Sequence, residues 1–341
     1  MARGRRIVAL ADLEPGTEGE FFAVLASKEE LKTREGKPYY RVAFRDARRQ
    51  VGFPIWSDSR WGKDCRDRWV VGRCYRIRAV YRETSYGPEL DIREIREYCA
   101  EEDQDFSPEL VFPHGPQAPD ESFAKLRALV VQEIGEKKLQ RFVLSLLDEN
   151  QAAWCRTPGS LRHQFAYAGG LVEHTLRVTE NAVLLARKYA ERAQEPKVAF
   201  DPELVIAGAV LHDIGKLVEL EGSLGTEIET AAGGLLGHLV LGRDLIREAA
   251  GRYPIDTEQL LRLEHIILSH HGEAEFGSPK PPMTLEALLV RFANEVDVRF
   301  ELACRVLSEK SGEGPFTSER NVFRQRFYRG GQAAGPPQAQ Q

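Results

Sequence analysis

The chain has 341 residues, 42% hydrophobic and 29% charged, with a formal net charge of −5. That length allows two domains, each burying its own core. No apolar run approaches the ~18 residues of a membrane span, and the five cysteines are scattered, odd in number and free of any CxxC pair, which argues against a disulfide framework or a zinc–thiolate site.

At the N-terminus the apolar stretch from Ile7 to Ala11 is cut short by Asp12, too early for a signal peptide, so a cytoplasmic protein without a membrane partner is expected. Residues 1–99 carry 21 Lys+Arg against 16 Asp+Glu, an excess of +5, whereas the remainder carries −10. A basic front module on an acidic body suggests that a polyanion is gripped first at the front.

Residues 18–98 read as strands. Glu20–Ala26 is an aromatic and aliphatic run, and in Tyr40–Arg45 and Tyr75–Tyr81 apolar and basic residues alternate with period two, the mark of half-buried strands. Gly36-Lys37-Pro38 and Tyr86-Gly87-Pro88 look like hairpin turns. Four or five short strands, with the polar segment Asp58–Arg68 before the last two, suit a small Greek-key barrel such as an OB-fold; an SH3-like barrel fits the pattern nearly as well. The prolines and acidic residues of 100–121 read as a linker.

From Ser122 onward the period is helical. Phe123, Leu126, Leu129 and Val130 begin a stripe that Leu139, Phe142, Val143, Leu146 and Leu147 continue, and Leu171–Tyr189 is a long amphipathic stretch. Asp201-Pro202-Glu203 is a helix start, Asp as cap and Pro at the first position, and Gly215 sits where that helix would end. Helices are expected over about 260–271 and 284–308. The tail from Gly330 holds nothing that could pack and is expected to be disordered. The predicted organisation is a barrel over 1–99, a linker over 100–121, an all-α domain over 122–310 and an extension over 311–341.

Chemistry concentrates in the helical half. His174, His212-Asp213, His238, His270-His271 and Asp297 each fall within or beside an apolar helical stretch, where a lone polar group is costly to bury. A single such histidine reads as a satisfied core residue; the set, on successive helices, is better solved by a shared metal site. Nitrogen and oxygen ligands without thiolate favour Mn²⁺, Fe, Ni²⁺ or Zn²⁺ over Mg²⁺. The ligands exceed what one ion needs, so two ions bridged by Asp213 are expected. Lys216, one turn after His212, is a candidate phosphate contact, or else an exposed lysine at a helix end.

The pattern H…HD…H…HH…D resembles the HD metal-dependent phosphohydrolases. GGLVEHT, LHDIGK, LLGHLV and LSHHGEAEFGSPKPP followed by EALLVRFANEVD look specifically like the YhaM-type 3′→5′ exoribonucleases, in which an OB-fold module precedes the HD domain. The likeness runs from GKPYYRVAFRD and PIWSDS to the closing RNVFRQRFYR.

It implies metal-ligand roles for His174, His212, Asp213, His238, His270, His271 and Asp297, with catalytic roles for Asp213 and Lys216 and a phosphate contact for Lys280. It also implies Mn²⁺ as the favoured ion and a possible homo-oligomer. Two departures stand out: Gln164-Phe165, preceded by His163, replaces the family's pair of histidines before Gly169-Gly170, and Asn294 replaces an aspartate. Both fall around the substrate rather than on the ligands.

For the barrel, Arg41, Arg45, Arg76, Arg78 and Arg82 are candidate backbone contacts, with Phe53, Trp56 and Tyr86 as candidate stacking platforms; a solvated strand face or a core role is the competing account of each. The reading is a metal-dependent 3′→5′ exonuclease hydrolysing single-stranded RNA, with DNA as a further candidate substrate, by metal-activated water. Alternatives are an HD-type nucleotide or cyclic-dinucleotide phosphohydrolase, and a catalytically weak single-strand-binding protein.

Overall fold

The computed structural model describes residues 7–33, 35–85, 87–161, 164–194, 198–222, 227–308 and 314–330. Tyr86, His163 and the tail beyond Gly330, singled out above, lie outside them.

The front half is a five-stranded antiparallel barrel: β1 (Glu18–Lys32), β2 (Pro38–Arg45), β3 (Gln50–Trp56), then α1 (Gly62–Asp67), β4 (Cys74–Thr84) and β5 (Gly87–Glu97). The order is β3-β2-β1-β4-β5, and β3 also approaches β5, closing the sheet. With a helix between β3 and β4, this is the connectivity of an OB-like barrel, which decides against the SH3-like alternative. β1 pairs through Glu18–Val24 with β4 and through Val24–Lys32 with β2, its register shifting between Leu25 and Ser27. One long bulged strand thus serves both halves of the barrel.

Alternation sets the interior. Val51, Phe53 and Ile55 of β3 and Tyr75, Ile77, Ala79 and Tyr81 of β4 point inward. On β1, Phe21 to Leu25 are all buried, because the strand is covered on both faces. Phe21, Ala23 and Leu25 enter the barrel, while Phe22 and Val24 lie under Val111 and Phe112.

Residues 100–121 are therefore no free tether. They carry α2 (Pro108–Val111) and are pinned to the barrel. Asp103, 2% exposed, accepts hydrogen bonds from Arg76 (2.8 Å) and from Arg96. Burial alone would raise its carboxyl, but these guanidinium groups and the Cys99 N–H hold it down at about 2.

The helical half contains α3 (Pro119–Glu133), α4 (Lys137–Glu149), α5 (Gln151–Arg156), α6 (Gly170–Ala190), α7 (Pro202–Leu211), α8 (Lys216–Glu219), α9 (Ala231–Arg252), α10 (Thr257–Ser269) and α11 (Leu285–Ser308), with a two-residue strand pair, Leu220–Glu221 and Ile228–Glu229, before α9. α3 begins at Pro119 rather than Ser122, since proline at the first position and Asp120-Glu121 in the first turn both favour an earlier start. Asp201 caps α7 as expected, accepting from the Glu203 and Leu204 N–H groups.

α7 is buried on every side from Leu204 to Leu211, as its unbroken apolar sequence requires. It packs among α6, α10 and α11 and delivers His212 at its C-terminal end. No helix among the described residues is long and apolar enough to cross a membrane.

Candidate metal centre and nucleic-acid interface

Four helices bring ligand-type side chains to one point. His174 projects from the first turns of buried α6. His212 and Asp213 follow the end of α7, and His270 and His271 follow the end of α10. His238 depends on two glycines. At Gly237 the backbone of α9 turns to φ +71° and ψ 159°, a break that glycine accepts without strain. Gly215 was expected as a helix stop, but α7 ends at Leu211 and Gly215 has a right-handed φ of −62°. It is needed for close approach instead: a Cβ there would lie 1.9 Å from the His238 carbonyl oxygen.

Asp213 is the hub. Its Oδ2 lies 3.6 Å from His174 Nε2 and 3.4 Å from His212 Nε2; its Oδ1 lies 3.4 Å from His238 Nε2 and 3.5 Å from His270 Nε2. The donors fall into two groups that share this carboxylate, His174–His212–Asp213 and Asp213–His238–His270–His271, the atoms of each within 4.8 Å of one another. Each group could hold a metal ion, and Asp213 belongs to both.

Every ring is fixed through its other nitrogen. Nδ1 meets the carbonyl of Ala209 for His212 (2.7 Å), of Ile267 for His270 (2.8 Å) and of Phe276 for His271 (2.8 Å). For His174 it meets Asp297 Oδ2 (2.8 Å), and for His238 it meets Glu219 Oε1 (3.1 Å). Each of these partners is an acceptor, so Nδ1 carries the hydrogen and Nε2 presents a lone pair. Burial, above all, disfavours the charged form of three of them: it pushes His174 down, His270 well below the usual imidazole value and His271 to about 4.

Oriented through Nδ1, His174 and His212 bring their Nε2 atoms within 3.3 Å of each other, and His238 and His271 do likewise. The buried Asp213 Oδ1 and His270 Nε2 have no hydrogen-bond partner. Facing lone pairs and orphaned acceptors are costly in a protein interior. A divalent cation in each group removes that cost, so the donor set fits two metal ions.

Two assignments change. Asp297 stands outside both donor groups: it holds His174 from behind and is itself gripped by Arg177 Nε at 2.7 Å. Lys216 is neither exposed nor free, because its buried ammonium donates to Asp213 Oδ2 (2.6 Å) and to the Gly159 carbonyl (2.7 Å). Burial would raise the Asp213 carboxyl, but Lys216, and after it His212, hold it well below its ordinary value.

Arg177 and Glu219 were not singled out from the sequence. The available signal was Arg177 following His174 within one turn of the same helix. Phe165, at φ +52°, is buried with its ring 5.0 Å from that of His174. Gln164 is half-buried, and the buried Asn294 Oδ1 lacks a partner. Lys280 is exposed on the segment after His271.

Residues 171–299 match the HD domain. The match spans every residue of both donor groups.

The barrel is similar to a domain of replication protein A from Methanococcus maripaludis, at 11% identity over 27% of this chain and 93% of that one, with a TM-score of 0.22. It is also similar to the second OB-fold domain of replication protein A from the same organism, at 14% identity over the same shares, with a TM-score of 0.21.

The barrel redistributes its candidates. Phe53 is core, 4% exposed, and cannot stack on a base. Arg76 is engaged by Glu20, Asp103 and Asp105. Arg78 pairs with Glu18 and Glu94, and Arg82 with Asp91. Arg45 is half-buried, with Glu227 of the helical half close enough to act on its charge. Trp56 is 47% exposed, its ring 5.3 Å from that of Tyr39, its partner across the β2–β3 ladder. Arg41, also on β2, is exposed. The remaining open patch is therefore Tyr39, Arg41 and Trp56.

Proposed function

We propose that this protein is a metal-dependent exonuclease that shortens single-stranded RNA from its 3′ end, with Mn²⁺ as the favoured ion, as the likeness to the YhaM-type family implies. The observation that carries the hydrolytic part is the five anchored imidazoles whose free Nε2 atoms converge on the two oxygens of Asp213. Two divalent ions in such a site supply Lewis acidity, activating water and neutralising phosphoryl oxygens.

The chain's own residues do the positioning. Asp213 offers one oxygen to each donor group and is kept ionised by Lys216. Glu219 and Asp297 set the orientation of His238 and His174, and Arg177 balances the charge of Asp297. Phe165 covers one side of His174 and keeps water from that ring. On the barrel, the tilted Tyr39–Trp56 pair offers a stacking surface and Arg41 a phosphate contact, a combination suited to single strands. Lys280, exposed nine residues after His271, is a further candidate phosphate contact. A small-nucleotide phosphohydrolase would need no such barrel.

The test is incubation of a 5′-labelled single-stranded RNA with Mn²⁺, wild type against Asp213→Ala. A ladder shortening from the 3′ end and absent in the variant is expected. Intact RNA that still shifts on a gel would sink the nuclease reading.

A further inference from the structure

The segment after α11 has a defined form. The Thr317 N–H donates to the Phe327 carbonyl (2.9 Å), the Phe327 N–H to the Thr317 hydroxyl (2.9 Å) and the Arg329 N–H to the Pro315 carbonyl (2.8 Å). Phe316 faces Tyr328 across this short antiparallel pairing. Asn321 organises the tip: its Nδ2 donates to the Ser318 and Gln325 carbonyls, both at 2.6 Å, and its Oδ1 accepts from the Phe323 N–H at 2.9 Å. Thr317 is 1% exposed, so the hairpin closes on its own hydroxyl.

What it displays is cationic and aromatic. Residues 314–330 contain four arginines against one carboxylate, Glu319, in a half of the chain that is otherwise acidic. Arg320, Arg324 and Arg326 are exposed, and among the described residues none has a carboxylate partner, unlike the paired arginines of β4. Arg326 lies over the Phe316 ring, 4.8 Å from its centroid. Tyr328 is 58% exposed, its ring tilted against Phe316 at 5.3 Å.

We infer that Pro315–Arg329 is a second single-strand nucleic-acid contact, in which Arg320, Arg324 and Arg326 meet phosphates and Tyr328 stacks on a base. A folded tip presents its charges with less ordering on binding than a loose tail would. It follows α11 in the chain, and the last residue of that helix, Ser308, lies ~16 Å along the helix axis from Asp297, so the chain itself limits how far a strand held there can lie from the metal centre. The inference rests on the nuclease reading for its substrate class but concerns a surface outside both the barrel and the HD match.

The test is fluorescence anisotropy of the full-length, Mn²⁺-loaded protein with a 20-nucleotide single strand bearing hydrolysis-resistant phosphorothioate linkages, titrated across a salt series. Replacing Arg320, Arg324 and Arg326 together by alanine should raise Kd about tenfold and lower the slope of log K against log salt by about 2. The triple lysine variant should keep the slope, because the charge is retained. Tyr328→Ala should weaken binding about fivefold or more, and Tyr328→Phe should not.

Unchanged Kd and slope in the triple alanine variant, with an unaltered circular dichroism spectrum, would overturn the inference. So would equal losses with alanine and lysine, which mark a bracing role for the guanidinium groups. Cleavage of ordinary RNA by the wild type is read separately. If it fails while the hairpin-dependent binding persists, the nuclease reading falls and this one stands.

Discussion

The helical site and the barrel surface handle charge in opposite ways. Around Asp213, polar atoms point at one another with acceptors unmatched, and each ring is braced from behind so that it cannot turn away. On the barrel, the arginines of β4 have found carboxylates within the fold, leaving a small aromatic and cationic patch open. Unsatisfied buried groups mark a place built for something absent from the chain; satisfied surface charges mark architecture. A cluster of like residues in sequence means different things according to which of these it becomes.

The largest effect expected from breaking this contrast is at its hub. Asp213→Ala should abolish stoichiometric metal, read by elemental analysis, and lower hydrolysis by ~10³-fold or more; retention of two ions per chain would refute the shared-carboxylate arrangement. Next comes Asp103→Ala, which leaves Arg76 and Arg96 without their buried anion. It should cost about 2 kcal/mol in urea unfolding while metal content stays unchanged, and a loss of metal instead would contradict the separation of the two regions.

Glu219→Gln and Asp297→Asn should each weaken metal affinity by about 10–100-fold without eliminating it. Outright loss of one ion in Asp297→Asn would return that residue to the ligand set. Trp56→Ala should weaken single-strand binding by about 1–3 kcal/mol with no change in metal content. Smallest is Arg78→Ala: its salt bridges are partly exposed, so stability should move within about 0.5 kcal/mol and the salt dependence of RNA binding should not change.

Much of this was legible in the residues. Period-two alternation placed β2 and β4, and the Asp201-Pro202 cap placed α7, because both depend on local chemistry. The histidines and Asp213 stood out because neutral imidazoles in apolar helices call for a common solution. The same alternation also held a signal left unread: in β3, Val51, Phe53 and Ile55 share one parity and Trp56 the other, so Phe53 and Trp56 cannot both face outward.

Other features depend on distant partners. Whether Asp297 meets an ion or the back of His174 is decided by a helix far along the chain. Asp103 turns Arg76 inward across more than twenty intervening residues, and Gly215 matters only because His238 crosses it. Spacing alone carries none of these.

The braces behind the five rings also separate two events that small metal-binding modules usually merge. Three of the braces are backbone carbonyls near the rings, belonging to Ala209, Ile267 and Phe276, and they exist as soon as the helices and their following turns do. The rotational freedom of those imidazoles is therefore lost during folding, and an arriving ion need not order them. Metal should raise the melting temperature only by mass action, in proportion to the logarithm of its concentration over Kd, rather than convert an unfolded chain into a folded one. A domain with that property can persist intact through metal scarcity and refill as fast as ions diffuse in.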